Sequence, residues 1–161
     1  MKTITIKDEF ADIATKILTA ALGEGAFEEK RETPKSIDSL EDALKINGTT
    51  LIPTFSEFKE EKLRKHHLAD WQWGELATAY NKLRNPEYKA DYLDEDQDKY
   101  YAWCTLKEDK SQPSGFGLSR TDYNYTYTNT GVGVRHAFAS SNDVLDALKK
   151  FGQIYITMQT N

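Results

Sequence analysis

The sequence predicts an α+β fold: N-terminal helices, a three-stranded antiparallel β-meander, and a C-terminal helix packed on the sheet. Three observations point there. Apolar residues recur at spacings of three and four near both ends of the chain, as in Phe10, Ile13, Ile17 and Leu18, and again in Val144, Leu148, Phe151 and Tyr155. In between, the period falls to two over Lys99–Leu106 (KYYAWCTL). The alternating runs are separated by stretches too short for a parallel crossover, which favours antiparallel pairing. A chain of 161 residues, 39% hydrophobic and 29% charged, is long enough for a real core and far from the composition of a disordered segment.

Along the chain, residues 8–22 read as an amphipathic helix, started by Asp8 and stopped by Gly23 and Gly25, after a short strand at Thr3–Ile6. The polar stretch 24–35, broken by Pro34, reads as a linker. A second helix is expected over Ser39–Ile46, with Asp38 and Glu41 at capping-box spacing, Leu40, Ala43 and Leu44 on the buried face, and Gly48 at its end. A third runs from Ser56 to Arg84, with Thr54 and Glu57 as a second capping box. Its apolar face is loose: Phe58, Leu63, Leu68, Trp71, Leu76, Tyr80 and Leu83. Gly74 inside it costs about 1 kcal/mol relative to Ala and marks a kink or a close approach.

Asp91–Asp98 reads as an acidic loop, and three strands follow at Lys99–Leu106, Phe116–Arg120 and Gly131–Ala139. The first strand places Tyr100, Ala102, Cys104 and Leu106 on one face, and Tyr101, Trp103 and Thr105 on the other. Both faces carry bulk, so both are expected to be covered. The closing helix, Asn142–Met158, has Ser140 and Asp143 to cap it. Because a three-stranded sheet needs a helix on one face, this last helix is the natural cover.

Composition narrows the function classes. The single cysteine, Cys104, forms no internal disulfide and suits a reducing cytoplasm. No stretch approaches the 18 or so apolar residues of a membrane span, and the first ten residues lack the apolar core of a signal peptide. The net charge is −5, with the acidic excess confined to residues 1–98, which argues against binding along a phosphate backbone.

Residues capable of chemistry do not assemble into a signature. Asp94, Asp96 and Asp98 have the spacing that opens a calcium loop, but Lys99 and Thr105 stand where glycine and a bidentate Glu are required. His66 and Asp70 lie one helical turn apart without a third ligand nearby. A Cys104–His136 pair with Asp122 would imitate a hydrolase triad, yet Cys104 sits mid-strand among bulky neighbours, and His136 on an apolar strand face reads as a core histidine. Gly115-x-Gly117 and Gly131-x-Gly133 do not open a helix after a strand, so they read as strand-packing glycines rather than phosphate loops. No catalytic residue, metal or cofactor is assigned.

What stands out is the aromatic content, 12%, with nine Tyr and three Trp. In Asp122–Asn129 (DYNYTYTN), Tyr123, Tyr125 and Tyr127 alternate with Asn and Thr. Rigid amphipathic rings beside short hydrogen-bonding groups suit adaptable recognition, and they equally suit a twisted hairpin whose rings cover a helix. Trp71 and Trp73, two residues apart, cannot share a helix face, so one of them is expected at the surface or against another chain. The candidate partner- or ligand-binding residues are therefore Trp103, Tyr123, Tyr125, Tyr127, Trp71 and Trp73.

From Ile37 onward the chain resembles a family of uncharacterised proteins carried by bacteriophages and prophages of gut Bacteroidales. The resemblance is carried by Ser39-Leu40-Glu41-Asp42-Ala43-Leu44, by Pro53 and Phe55 before a long helix, by Lys99-Tyr100-Tyr101-Ala102-Trp103, by Ser114-Gly115-Phe116-Gly117-Leu118-Ser119, and by Thr130-Gly131-Val132-Gly133-Val134-Arg135. The sequence departs from the family at Ala102, where proline is usual, and at Val134-Arg135-His136. The resemblance covers residues 37–158 and implies an ordered domain of phage-related origin, with no chemistry attached. It leaves 1–36 as a helical arm and linker outside an α+β domain of residues 37–161. The expected function is a non-enzymatic interaction module of the bacterial cytoplasm, with virion association open. Its partner is a protein or a second copy. A glycan- or small-molecule-binding domain with stacking rings is the alternative, and a cysteine-dependent enzyme the weaker one.

Overall fold

The computed structural model describes residue 17 and residues 34–94, 96–112, 115–126 and 136–160. The chain divides into two units, Met1–Glu32 and Thr33–Asn161. In the first, Ile17 is helical and exposed; the remainder of the helix expected over 8–22, and the strand expected at Thr3–Ile6, lie outside the described residues. The second unit has the α+β architecture expected of it.

Its first helix, α1, spans Leu40–Asn47. The capping box falls one residue later than the spacing of Asp38 and Glu41 suggested. Ser39 Oγ accepts from the Asp42 N–H, and the Asp42 carboxylate accepts from the Ser39 N–H, so two orphan donors are satisfied reciprocally. Gly48 closes the helix in the left-handed region at φ 73°, where a Cβ would be strained.

The long helix, α2, spans Glu61–Arg84 and starts five residues later than expected. Residues 55–58 form a turn, with Phe55 at φ 51° and the Phe58 N–H bonded to the Phe55 carbonyl. Arg64 Nη1 holds the Phe58 and Lys59 carbonyls at 2.6 and 2.9 Å, and the Phe58 ring stacks on His67 at 4.3 Å. These contacts hold the chain before Glu61 in a turn, so Thr54 and Glu57 fall outside the helix. The buried face of α2 is Ala69, Trp73, Leu76, Ala77, Ala79 and Tyr80, whereas Leu63 is 40% exposed. The helix passes through Gly74 without a break.

Strands β1 (Lys99–Glu108) and β2 (Phe116–Thr126) form an antiparallel hairpin with a register shift between Thr105 and Leu106. Strand β2 runs six residues beyond the expected Phe116–Arg120, so Tyr123 and Tyr125 are strand residues. The third strand is represented by Phe138, which bridges antiparallel to Tyr100. Tyr100 gives both its N–H and its carbonyl to Phe138, at 3.1 and 2.8 Å. Both groups of a strand residue point the same way, so Phe138 occupies the edge of β1 opposite β2. The order is thus β2, β1, third strand, with the first strand in the middle. Asn81 of α2 fixes this segment by exchanging two 2.8 Å hydrogen bonds with the Ala137 carbonyl and the Ala139 N–H.

The last helix, α3, spans Ser141–Thr160 and bends at Phe151 (φ −124°, ψ 21°). Ser140 caps it through Asp143 as the sequence suggests. It lies between α2 and the hairpin, while α2 lies between α1 and α3. The core is therefore continuous from Ile37 and Ala43 through Trp73, Leu76 and Tyr80 to Phe138, Val144, Leu148 and Tyr155. Where α3 crosses β2 the approach is close: a Cβ on Gly152 would come within 2.7 Å of Leu118 Cδ1. Among the described residues, no helix is long and apolar enough to cross a membrane.

Candidate functional site

The hairpin register decides which aromatic rings share a surface. Directly paired residues share a face of the sheet. Tyr100 pairs with Tyr125, and Ala102 with Tyr123. Those four stand on the side packed by α3, as the buried Ala102 and the contact of Tyr100 with the core establish. Trp103 pairs with Asp122 and belongs to the opposite face, where it is 43% exposed. That outer face was expected to be covered; Trp103 and Thr105 instead reach solvent.

Three tyrosines cluster at the end of the helix-side face. The Tyr100 ring meets Tyr123 edge-on at 5.7 Å between centroids, and Tyr125 at 6.2 Å. Both geometries suit the ring quadrupoles. Tyr100 is partly buried and its hydroxyl donates to Asp98 Oδ2 at 2.9 Å, a bond that raises its pKa above the ordinary phenol value. Tyr123 and Tyr125 remain 38% and 48% exposed although they sit on the packed side. They lie on β2, the outer strand of the hairpin, where no neighbouring strand shields them among the described residues.

The other expected residues scatter. Trp73 is a core side chain, 2% exposed, tilted against Tyr155 at 5.0 Å and Phe138 at 5.8 Å. It leaves the candidate set because it falls four residues after Ala69 and three before Leu76, on the buried stripe of α2. Trp71 is half-buried on another face of the same helix. Tyr127 lies outside the described residues. The structure thus joins Tyr123 and Tyr125 and separates them from all three tryptophans, Trp71, Trp73 and Trp103. It adds Tyr100, which the alternation of KYYAW places on the face of Ala102 and Cys104, so its membership was readable once the pairing was known.

Two clefts stand out among the described residues, and these rings line neither. One, of about 330 Å³, lies between the hairpin turn and α3 and is lined by Lys107, Asp109, Leu118, Lys149, Lys150 and Gln153 among others. The second, of about 500 Å³, is formed by Asn85, Pro86, Glu87, Tyr88, Gln97 and Ala139.

The remaining reactive groups are held in structural roles. Cys104 is half-buried and burial pushes its thiol pKa up, away from a thiolate nucleophile. His136 is hydrogen-bonded to Asp70 at 3.1 Å, and Asp122 stands on the face opposite Cys104, so the three side chains of the imagined triad do not meet. His136 is not a core histidine either: it is part-exposed and lies across Gly74. The ring of His66 bonds through Nδ1 to the Met158 carbonyl. Among the described residues, no three His, Cys, Asp or Glu side chains converge as a metal cage. In the acidic loop a protein ammonium is the bound cation. Lys99 is fully buried, and its Nζ bonds the Asp94 and Gln97 carbonyls at 2.9 Å each. No sequence signal marked that lysine, whose identity at the head of a strand looks like surface chemistry.

No family model matches the chain, and no match is found among curated proteins or solved structures.

Proposed function

We propose that this chain is a non-enzymatic protein-interaction module of the bacterial cytoplasm, phage- or prophage-related as its resemblance suggests, and that it binds through the aromatic end of its hairpin. One observation carries the reading. Tyr123 and Tyr125 keep 38% and 48% of their surface open while Tyr100 holds them in a fixed cluster. Rings already ordered by neighbours lose little conformational entropy on binding, and tyrosine is enriched at protein interfaces for that reason. Stacking on a glycan or small molecule asks for rings lining a concavity, and the rings of this cluster line neither cleft. The geometry therefore favours a macromolecular partner over the alternative.

Affinity capture from bacterial lysate tests this, comparing the wild-type chain with the Tyr123→Ser/Tyr125→Ser variant. The expected outcome is a retained protein that the double variant loses while its melting temperature stays near wild type. Equal capture by both, or no capture by either from a chain that also stays strictly monomeric, overturns the reading.

A further inference from the structure

We infer that the outer edge of β2 pairs with the same edge of a second copy of this chain, antiparallel about a two-fold axis at Tyr123; this rests on the interaction reading above and names its partner.

The direction of the backbone groups follows from one pair. Tyr100 directs its N–H and carbonyl to Phe138, away from β2. Its partner Tyr125 is then in a non-hydrogen-bonded pair, with its own backbone groups directed away from β1. The register is unbroken from Lys99 to Thr105, so the same holds at Tyr123 and Thr121. Two independent hydrogen bonds agree. The Tyr123 N–H donates to Asp122 Oδ1 and the Tyr125 N–H to Asn124 Oδ1, each at 2.9 Å, where a ladder partner would otherwise accept. Each outward amide is thus satisfied by the side chain immediately before it. Such a local acceptor is displaced by the carbonyl of an arriving strand, which extends the ladder without uncovering a donor.

Among the described residues, no further strand covers this edge. Native edge strands are blunted by lysine, proline or inward-pointing charge. The segment Thr121–Tyr125 carries a single charge, Asp122, and the rings of Tyr123 and Tyr125 border it. Its sequence is also complementary to itself. With the two-fold at Tyr123, ring faces ring, Thr121 faces Tyr125, and the Asp122 carboxylate faces the Asn124 carboxamide, which can donate to it. Shifting the axis by one residue to Asp122 sets carboxylate against carboxylate, a destabilising pair. A foreign strand would need a matching pattern; a second copy already has one.

Sedimentation equilibrium on the full chain over a range of concentrations tests the inference, with amide hydrogen exchange at Tyr123 and Tyr125 as the positional readout. Expected are a rise from monomer to dimer mass with concentration, and slowed exchange at both amides in the dimer. Asn124→Asp turns both carboxylate–carboxamide pairs of the dimer into like-charge pairs, and should weaken dimerisation about tenfold, less at high salt. Thr121→Pro removes an outward donor without touching the β1 ladder and should weaken it too. Melting temperatures near wild type show that both variants fold. A chain that stays monomeric, or a dimer indifferent to both substitutions, overturns the inference. So does protection of these amides that is independent of concentration, or that arises only with a captured foreign protein. A strict monomer whose capture of another protein still depends on Tyr123 and Tyr125 overturns self-pairing and leaves the interaction reading standing.

Discussion

The imidazole of His136 lies across Gly74 of α2, so close that a Cβ there would come within 2.8 Å of Cε1 and 2.9 Å of Nδ1. The ring is held in place by Asp70, one turn earlier on the same helix, through its Nε2. Gly74 is thus the position at which the segment leading to Phe138 lies down on α2.

Gly74→Ala sets two effects against each other. Helix propensity gains about 1 kcal/mol, while the new methyl must push aside a ring that Asp70 anchors, with an overpacking cost of about 1–3 kcal/mol. The expected net effect is destabilisation of about 1 kcal/mol, with loss of the Asp70–His136 bond. In a His136→Ala background the obstacle is gone, and Gly74→Ala should stabilise by about 1 kcal/mol. Denaturant unfolding of the four chains checks the sign reversal; two shifts of the same sign would show that the ring does not rest on Gly74.

Lys99 closes the acidic loop from inside. Its buried ammonium serves the Asp94 and Gln97 carbonyls, and the Tyr92 ring lies 6.0 Å away. Lys99→Met keeps the stem's volume but leaves two carbonyls without a donor, at a cost of about 2–3 kcal/mol. The damage should be local: amides of residues 91–98 exchange faster, while those of α1 keep their wild-type protection. Unchanged exchange in the loop would contradict this role.

How much of this was legible beforehand depends on whether the cause is local. The end of α1 at Gly48 and the cap of α3 at Ser140 are decided by neighbouring residues, and the sequence displays them. The face of α2 is legible in part: Leu76 and Tyr80 are buried and Leu83 packs on the core, whereas the buried tryptophan is Trp73 and not Trp71. Ala69, Ala77 and Ala79 carry little hydrophobic weight, yet all three are buried, which the pattern of large side chains does not report. The length of β2 was readable in principle. Asp122 to Tyr125 alternates as strictly as KYYAW, but its polar partners resemble loop chemistry, and the pairing with β1 overrode that preference. Nothing local reports that the third strand returns to β1 instead of β2, nor that Lys99 turns inward. For the candidate surface, the Tyr pair was visible in the sequence, whereas its separation from Trp103 needed the register.

The acid limb of stability should run through Asp146. Burial alone would raise its pKa, but hydrogen bonds from Tyr80 and Arg84, with Lys150 close by, outweigh that and hold it below the ordinary carboxylate range. A carboxylate depressed in the folded state adds stability that is full above its unfolded pKa, near about 4, and is lost as pH falls through the folded value. Asp146→Asn should cost about 1–2 kcal/mol at neutral pH, and its stability should converge on wild type in acid. Unfolding curves between about pH 2 and pH 7 check this; parallel curves would place the acid sensitivity elsewhere.

Tyr155 serves the same edge of β1 as the Phe138 bridge. Ala102, two residues past the Phe138 bridge, directs its carbonyl to the same edge of β1, and there it accepts from the Tyr155 hydroxyl at 2.9 Å. Burial pushes the Tyr155 phenol up to about 12, because a phenolate would lose both its water and its role as donor. Tyr155→Phe keeps the ring against Trp73 but strands a buried carbonyl, and should cost about 1–2 kcal/mol. A phenol raised in the folded state contributes stability that is complete below about pH 10 and disappears as pH climbs through the folded value. The wild-type chain should therefore lose stability between about pH 10 and 12 by a margin that the Phe variant lacks. Chemical unfolding at a series of alkaline pH values measures the gap between the two chains, and a gap that does not narrow would mean that the hydroxyl is not what satisfies Ala102.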